Sequence, residues 1–331
     1  MGLLDTIFRP QGPVQSAVTP MHQYNFKNRW ALIGTVASGK STVAALLVLT
    51  AQTLQSQLPN FFCDVVENTS NILVDVSNLR RGHFPPKTTA YGKYATEAGL
   101  LLGWNTTPGE GALLGKLKLG KKQMHIPICD LAGEDLQAGQ KGMPSFEQIG
   151  SAAFSQARQL REYVRESDGL ILIAPASKAL MFKDDVQIER EAADIEFDPD
   201  VNLARMMGDI VEHRRRVRKP LKGIAFVITK WDMIAPYAQD LGMDVTTTQG
   251  LNEFLDVCFP STKMRIKMLV EDWGTRVEYF PSFVDVQRNG DGSLRKWDDD
   301  SAKILVKDRR IPSYGSQYMV NLINFVGSYA S

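Results

Sequence analysis

Short apolar runs alternate with stretches in which apolar residues recur every three or four positions, and this alternation continues through most of the chain. Residues 30–36, 123–130, 169–175, 223–229 and 276–286 read as strands, since each is a run of apolar residues bounded by polar or glycine-containing turns. Helical spacing fills the intervals at 40–57, 146–166, 198–218 and, in more than one helix, 249–273. Strands that are apolar on both faces and joined by helices of this length predict parallel βαβ units. The expected fold class is therefore α/β, a doubly wound and mostly parallel sheet with flanking helices.

Two stretches depart from the alternation. Residues 61–86 place Ile72, Leu73, Val76 and Leu79 at helical spacing and end in Arg80, Arg81, His83, Pro85 and Pro86, which predicts a small helical insertion. Beyond 286, the run RNGDGS predicts a hairpin turn, followed by a strand at 304–306 and a closing helix at 316–329. Residues 1–22 hold three prolines and read as a short apolar head on a flexible arm. The folded domain is thus expected over 23–331, with its insertion at about 60–87.

Composition narrows the functional classes. At 331 residues, 44% hydrophobic and 23% charged, the chain matches one elaborated globular domain and excludes disordered or collagen-like architectures. Lys and Arg number 38 against 37 Asp and Glu, so no global field draws the protein to nucleic acid, and no nucleic-acid partner is predicted. The cysteines Cys63, Cys129 and Cys258 are odd in number and never spaced CxxC, which argues against a disulfide framework or zinc site and for a reducing, cytoplasmic compartment. No apolar run approaches the roughly 20 residues of a membrane-spanning helix.

Three short motifs carry chemistry. GTVASGKST, residues 34–42, fits GxxxxGK[ST] and falls where that pattern must, directly after an apolar strand and opening a helix. Gly34, Thr35, Val36, Ala37, Ser38 and Gly39 offer backbone amides to an anion, Lys40 reaches the outer phosphates, and the Ser41 hydroxyl, followed by Thr42, can ligate Mg²⁺. DLAGE begins with Asp130 at the end of a strand, placed to hold the metal through water, and its Gly133 lets a backbone amide approach a γ-phosphate. TKWD closes the 223–229 strand. Asp232 there can accept the two N–H donors on one edge of guanine, while the stem of Lys230 lies over the ring.

These motifs, in this order and each at a strand end, resemble those of the Ras-like P-loop GTPases of the translation-factor-like class, over most of residues 29–285. The resemblance implies a P-loop NTPase domain, Mg²⁺ and GTP or GDP as ligands, and a switch that hydrolyses GTP slowly. Thr229 stands in place of the commoner asparagine of the guanine motif. The first switch of that family needs a threonine, for which PPKTTAYG offers Thr88 and Thr89 as metal ligands, with Thr88 favoured. Ser282 and Phe283 fall near the place of the last family motif. The spacing of 96 positions between Gly34 and Asp130 (130 − 34) is much longer than in small GTPases and marks a divergent member. Glu134 occupies the place of the water-orienting glutamine, and Val36 that of a glycine. Arg80, Arg81 and Lys87 precede the proposed switch and are candidates for a cation supplied in cis.

Other features have plainer readings. The run HRRRVRK at 213–219 reads as a solvated basic helix end. MGLLDT fits a short myristoylation pattern, though an apolar docking segment is the favoured reading of it; membrane contact through the N-terminal segment is the weaker expectation, beside a protein partner or homodimer. A P-loop ATPase or kinase, or an assembly protein stabilised by nucleotide without turnover, are the competing classes; the choice of base and the fate of bound nucleotide separate them.

Overall fold

The computed structural model describes residues 28–35, 38–66, 70–86, 97–106, 120–129, 164–176, 198–244, 247–307 and 310–329. Four strands, β1 (Trp30–Gly34), β5 (Gly169–Pro175), β6 (Gly223–Thr229) and β7 (Arg276–Pro281), pair in that order and all in parallel. The β1, β5 and β6 strands are buried along their whole length, as their unbroken apolar runs require.

Successive residues on these strands enter opposite layers. Trp30, Leu32, Ile171, Ile173, Ala225 and Val227 join a core with α1 (Lys40–Gln57), α2 (Ser70–Arg81) and α7 (Ser316–Gly327). Ala31, Ile33, Leu170, Leu172, Phe226 and Ile228 join a second core with α3 (Pro199–Val217), α4 (Trp231–Asp240), α5 (Thr248–Cys258) and α6 (Pro260–Trp273). The fold is therefore a doubly wound α/β sandwich with helices on both faces. The α1 helix is apolar around most of its circumference, because the sheet, α2 and α7 all pack on it.

A second sheet lies outside this frame. The strand expected at 123–130 is β4 (Gly120–Cys129), and it pairs antiparallel with β3 (Glu97–Thr106), which pairs antiparallel with β2 (Phe61–Val66). The β4 strand also lies next to β1. The insertion predicted as helical is thus strand plus helix, with α2 where the spacing placed it.

Local chemistry sets the helix ends. Asp198 caps α3 by accepting from the Asp200 and Val201 amides at 2.8 and 3.4 Å, with Pro199 in the first turn. Buried Asp200 in turn accepts from the Ser261 and Thr262 amides at 3.0 and 2.8 Å and so caps α6 from another element. The basic run closing α3 is not simply solvated. Arg214 is fully buried and donates to the Ser167 carbonyl, while His213 and Lys219 pair with Glu166, and Arg215 with Asp272.

The strand predicted over 276–286 leaves the parallel sheet at Pro281. The chain then folds into an antiparallel meander through the pairs Val284–Tyr314, Val286–Ile304, Arg288–Leu294 and Lys296–Ala302, with β8 (Val306–Lys307) paired to β9 (Ile311–Pro312). The meander docks on the turn after α2, where the Ile304 amide and the Trp297 indole donate to the Gly82 carbonyl at 2.9 and 3.1 Å and the His83 ring stacks on Trp297 at 4.1 Å. Among the described residues no helix is long and apolar enough to cross a membrane.

Candidate functional site

At the carboxyl ends of parallel strands the chain must turn, and here β1, β6 and β7 all release their loops on one edge. The loop after β1 begins at Gly34, where a Cβ would lie only 2.6 Å from the Ile173 carbonyl oxygen, so only glycine fits the tight passage between strands. It ends at Gly39, whose φ of 87° lies in the left-handed region and turns the chain into α1. No side chain caps this helix and no acid occupies its first turn, in contrast to the capped α3 and α5. The amides of its first turn and the positive end of its dipole therefore face the loop.

Lys40 is buried, and its ammonium donates to the Gly34 and Thr35 carbonyls at 3.3 and 2.9 Å. The cation is folded back across the loop that it would share with an anion. Thr35 Oγ1 and Ser38 Oγ are buried and, among the described residues, have no hydrogen-bond partner. The loop is tied to β6 by Thr229, whose hydroxyl donates to the Ser38 carbonyl at 2.6 Å and to that of Ala174 at 3.3 Å.

The TKWD turn is held from a second side. The Ser282 amide donates to the Ile228 carbonyl at 2.8 Å and the Trp231 amide to the Ser282 carbonyl at 3.3 Å, which joins the end of β7 to the start of α4. Lys230 occupies the left-handed region at φ 58° and its side chain is exposed. Asp232 sits in the first turn of α4. Loss of water around its carboxylate raises its pKa above the ordinary aspartate value, and Asp285 adds to that rise while Arg288 opposes it.

Between these turns opens a cavity of about 500 Å³ that collects Gly39, Thr42, Thr229, Lys230, Asp232, Ser282 and Phe283 on its walls. Three stretches named from sequence alone thus meet at one place. Gly34, Thr35, Ser38, Lys40 and Ser41 form the loop and first helical turn adjoining it. Val36, Ala37, Lys87, Thr88, Thr89, Asp130, Gly133 and Glu134 lie outside the described residues, as does the predicted helix at 146–166 before residue 164. Cys129, the last residue of β4, immediately precedes Asp130.

Sequence reasoning missed the rest of the wall: Val43, Phe84, Met233, Val284, Val286, Arg288, Leu294 and Ala302. Most belong to the meander, and the signal that could have found them is the alternation Val284, Val286, Arg288 running on from the strand before the RNGDGS turn. Arg80 lies elsewhere than its sequence position before the switch implied. Its guanidinium donates to Gln52 Oε1 at 3.1 Å, and Gln52 is twelve residues beyond Lys40 on α1, hence about 18 Å along the helix. Arg81 lines the same distant surface, so neither is placed beside the loop.

No family model matches the chain, and no curated protein matches it in sequence. Among solved structures it is similar to the crystal structure of an SsGBP mutation variant, at 14% identity and a TM-score of 0.28 over 77% of this chain and 50% of that one, so that it spans half of that protein's length. It is also similar to the signal recognition particle receptor SRb-GTP/SRX complex from Chaetomium thermophilum, at 12% identity and a TM-score of 0.30 over 81% of this chain and 96% of that one. At such identities and scores these likenesses carry no functional argument, and function is read from the site itself.

Proposed function

We propose that this chain binds a guanine nucleotide, with phosphates in the 34–42 loop and the base in the cavity beside Asp232, and that it is a Mg²⁺-dependent switch which hydrolyses GTP slowly. The observation that carries the reading is the joining of the two halves of such a site: the Thr229 hydroxyl, at the head of TKWD, is bonded to the Ser38 carbonyl of the phosphate loop at 2.6 Å. That bond fixes the separation between a phosphate subsite and a base subsite, as a ligand of fixed length requires.

Each residue then has a task its chemistry suits. Lys40 exchanges its loop carbonyls for β and γ phosphate oxygens, and the uncapped amides of α1 supply further donors. The unpartnered Thr35 and Ser38 hydroxyls are groups that a bound anion relieves. Asp232 accepts from the N1–H and exocyclic amine of guanine, Phe283 and the stem of Lys230 flank the ring, and Ser282 holds the turn. Mg²⁺ would be held by Ser41 together with Asp130 and with Thr88 or Thr89, and it would neutralise charge between the β and γ phosphates. Gly133 and the threonine that binds the metal sense the γ-phosphate, and their release on hydrolysis changes affinity for a protein partner or a second copy of the chain.

The test is a competition titration of labelled GTP against GTP, GDP and ATP, with analysis of the nucleotide that co-purifies with the protein. Retained guanine nucleotide and at least about a hundredfold preference over ATP are expected for a site built around a base-reading carboxylate. Equal affinity for ATP would reassign the chain to the ATP-using P-loop enzymes.

A further inference from the structure

Away from the nucleotide cavity, the second half of α1, the end of α2 and β9 border an open surface cavity of about 490 Å³. Its walls bring together the exposed Arg80 and Arg81 from α2 and Arg310 from just before β9, with Gln52, Thr53 and Ser56 of α1 beside them, and among the described residues no acidic one lines it. Among the described residues no carboxylate pairs with any of the three arginines. We propose that this cavity is a binding site for a ligand carrying two or more phosphate groups, gripped by Arg80, Arg81 and Arg310. The proposal is independent of the nucleotide reading above.

Three observations separate this cluster from an ordinary solvated basic helix end. Arg80 and Arg81 occupy the last turn of α2, where the helix dipole alone favours positive charge. Arg310 has no such reason to be there: it comes from a different element and brings a third like charge to the same concavity, a repulsion that water weakens at these exposed side chains and that a bound anion would turn into attraction. The backbone that delivers it is held at φ 58°, a left-handed conformation that costs free energy in any residue with a Cβ and that gathers at ligand sites. Arg80, finally, is anchored by a neutral group. Its bond to Gln52 Oε1 at 3.1 Å fixes the guanidinium without cancelling its charge, which is preorganisation for an incoming anion.

The lining also selects the ligand class. The Thr53 and Ser56 hydroxyls donate to the Leu49 and Thr53 carbonyls at 2.9 and 2.7 Å, so their protons are committed to the helix and the guanidiniums are the strong donors. Planar forks of this kind match phosphate oxygens two at a time. A cavity of this volume takes more than one phosphate, as in an inositol polyphosphate, free or as a lipid headgroup.

The full-length protein should bind inositol trisphosphate by calorimetry at physiological ionic strength. The double substitution Arg80→Gln with Arg310→Gln should weaken that binding at least about tenfold while leaving the circular dichroism spectrum and melting temperature intact. Lys40→Ala should leave it unchanged, which separates this site from the phosphate loop. Flotation with phosphatidylcholine vesicles, with and without a phosphatidylinositol bisphosphate, assigns the source: arginine-dependent flotation means a lipid headgroup, and binding of the soluble compound alone means a free polyphosphate. The proposal fails if wild type does not bind inositol trisphosphate, if the double variant binds it as tightly, if binding is lost in Lys40→Ala, or if polyglutamate binds equally well through the same arginines.

Discussion

On the proposed reading Asp232 is the residue on which base choice turns, and its surroundings make two opposite demands on it. Ionised, it would accept both guanine donors; yet loss of water, with Asp285 nearby, raises its pKa. A carboxyl whose pKa is higher in the folded than in the unfolded chain favours stability only below the unfolded value, and that contribution is lost as pH rises through the folded one. At neutral pH the Asp232 carboxylate is therefore a net cost to the fold. Asp232→Asn should leave the urea midpoint unchanged or higher at pH 7 while it loses GTP and gains XTP, since an amide offers both a carbonyl and an NH₂ group to xanthine. In wild type, GTP affinity should fall on acidification at a pH above the ordinary aspartate value of about 3.9. A variant that keeps full GTP affinity would reduce TKWD to a turn. Thr229 makes a complementary prediction. Thr229→Val is nearly isosteric but removes the donor to Ser38, so it should weaken nucleotide binding and cost about 1–3 kcal/mol in chemical denaturation by leaving a buried carbonyl unpaired.

Among the elements, the parallel core was the most legible part of the sequence. The runs at 169–175 and 223–229 coincide with β5 and β6, and the periodicity at 40–57 with α1, because burial on both faces leaves an unbroken apolar signature. Of the antiparallel strands β4 was read at 123–130, but β2 and β3 were not. In β3 the apolar run is only Leu100, Leu101 and Leu102 between Gly99 and Gly103, too short to stand out. The α4 helix was hidden by Pro236 within its ten residues and by its start at a turn motif. Two of the three cavity-forming stretches were clear because they match motifs of fixed residue type and spacing, whereas the meander wall, mostly apolar, matches none. At the opposite end of the same strands stands Trp30, fully buried and edge-on to Phe325 at 5.7 Å. It fills the space left by the first residues of two neighbouring strands: a Cβ at Gly169 or Gly223 would come within 2.4 or 2.9 Å of the indole. Trp30→Ala should cost about 3–5 kcal/mol, and Gly169→Ala about 1–3 kcal/mol by overpacking. Because both act on the same space, their effects should be non-additive in a double-mutant cycle of urea midpoints.

On the proposed reading, a bound nucleotide ties distant parts of the molecule together. The nucleotide cavity takes walls from α1, from the β6–α4 turn and from the C-terminal meander, elements far apart in sequence that unfolding separates. A ligand bound only to the folded chain stabilises it by about 2.7 kcal/mol when present at a hundred times its dissociation constant. GTP and GDP should each raise the melting temperature by an amount that grows with the logarithm of their concentration, whereas ATP at equal concentration should not. The effect should vanish in Lys40→Ala, whose own unliganded melting temperature should stay close to wild type, because the ammonium's bonds to Gly34 and Thr35 are to carbonyls of the loop. Turnover completes the argument. Glu134, ionised, can accept from an attacking water but cannot donate to the γ-phosphate and adds like-charge repulsion, and neither Arg80 nor Arg81 is placed to compensate. Hydrolysis by the isolated protein is thus expected in the range of about 10⁻⁴ to 10⁻² s⁻¹. Phosphate release measured in single turnover at saturating GTP and Mg²⁺ checks this, and a rate above about 1 s⁻¹ would mean that another cation of the chain already completes the site.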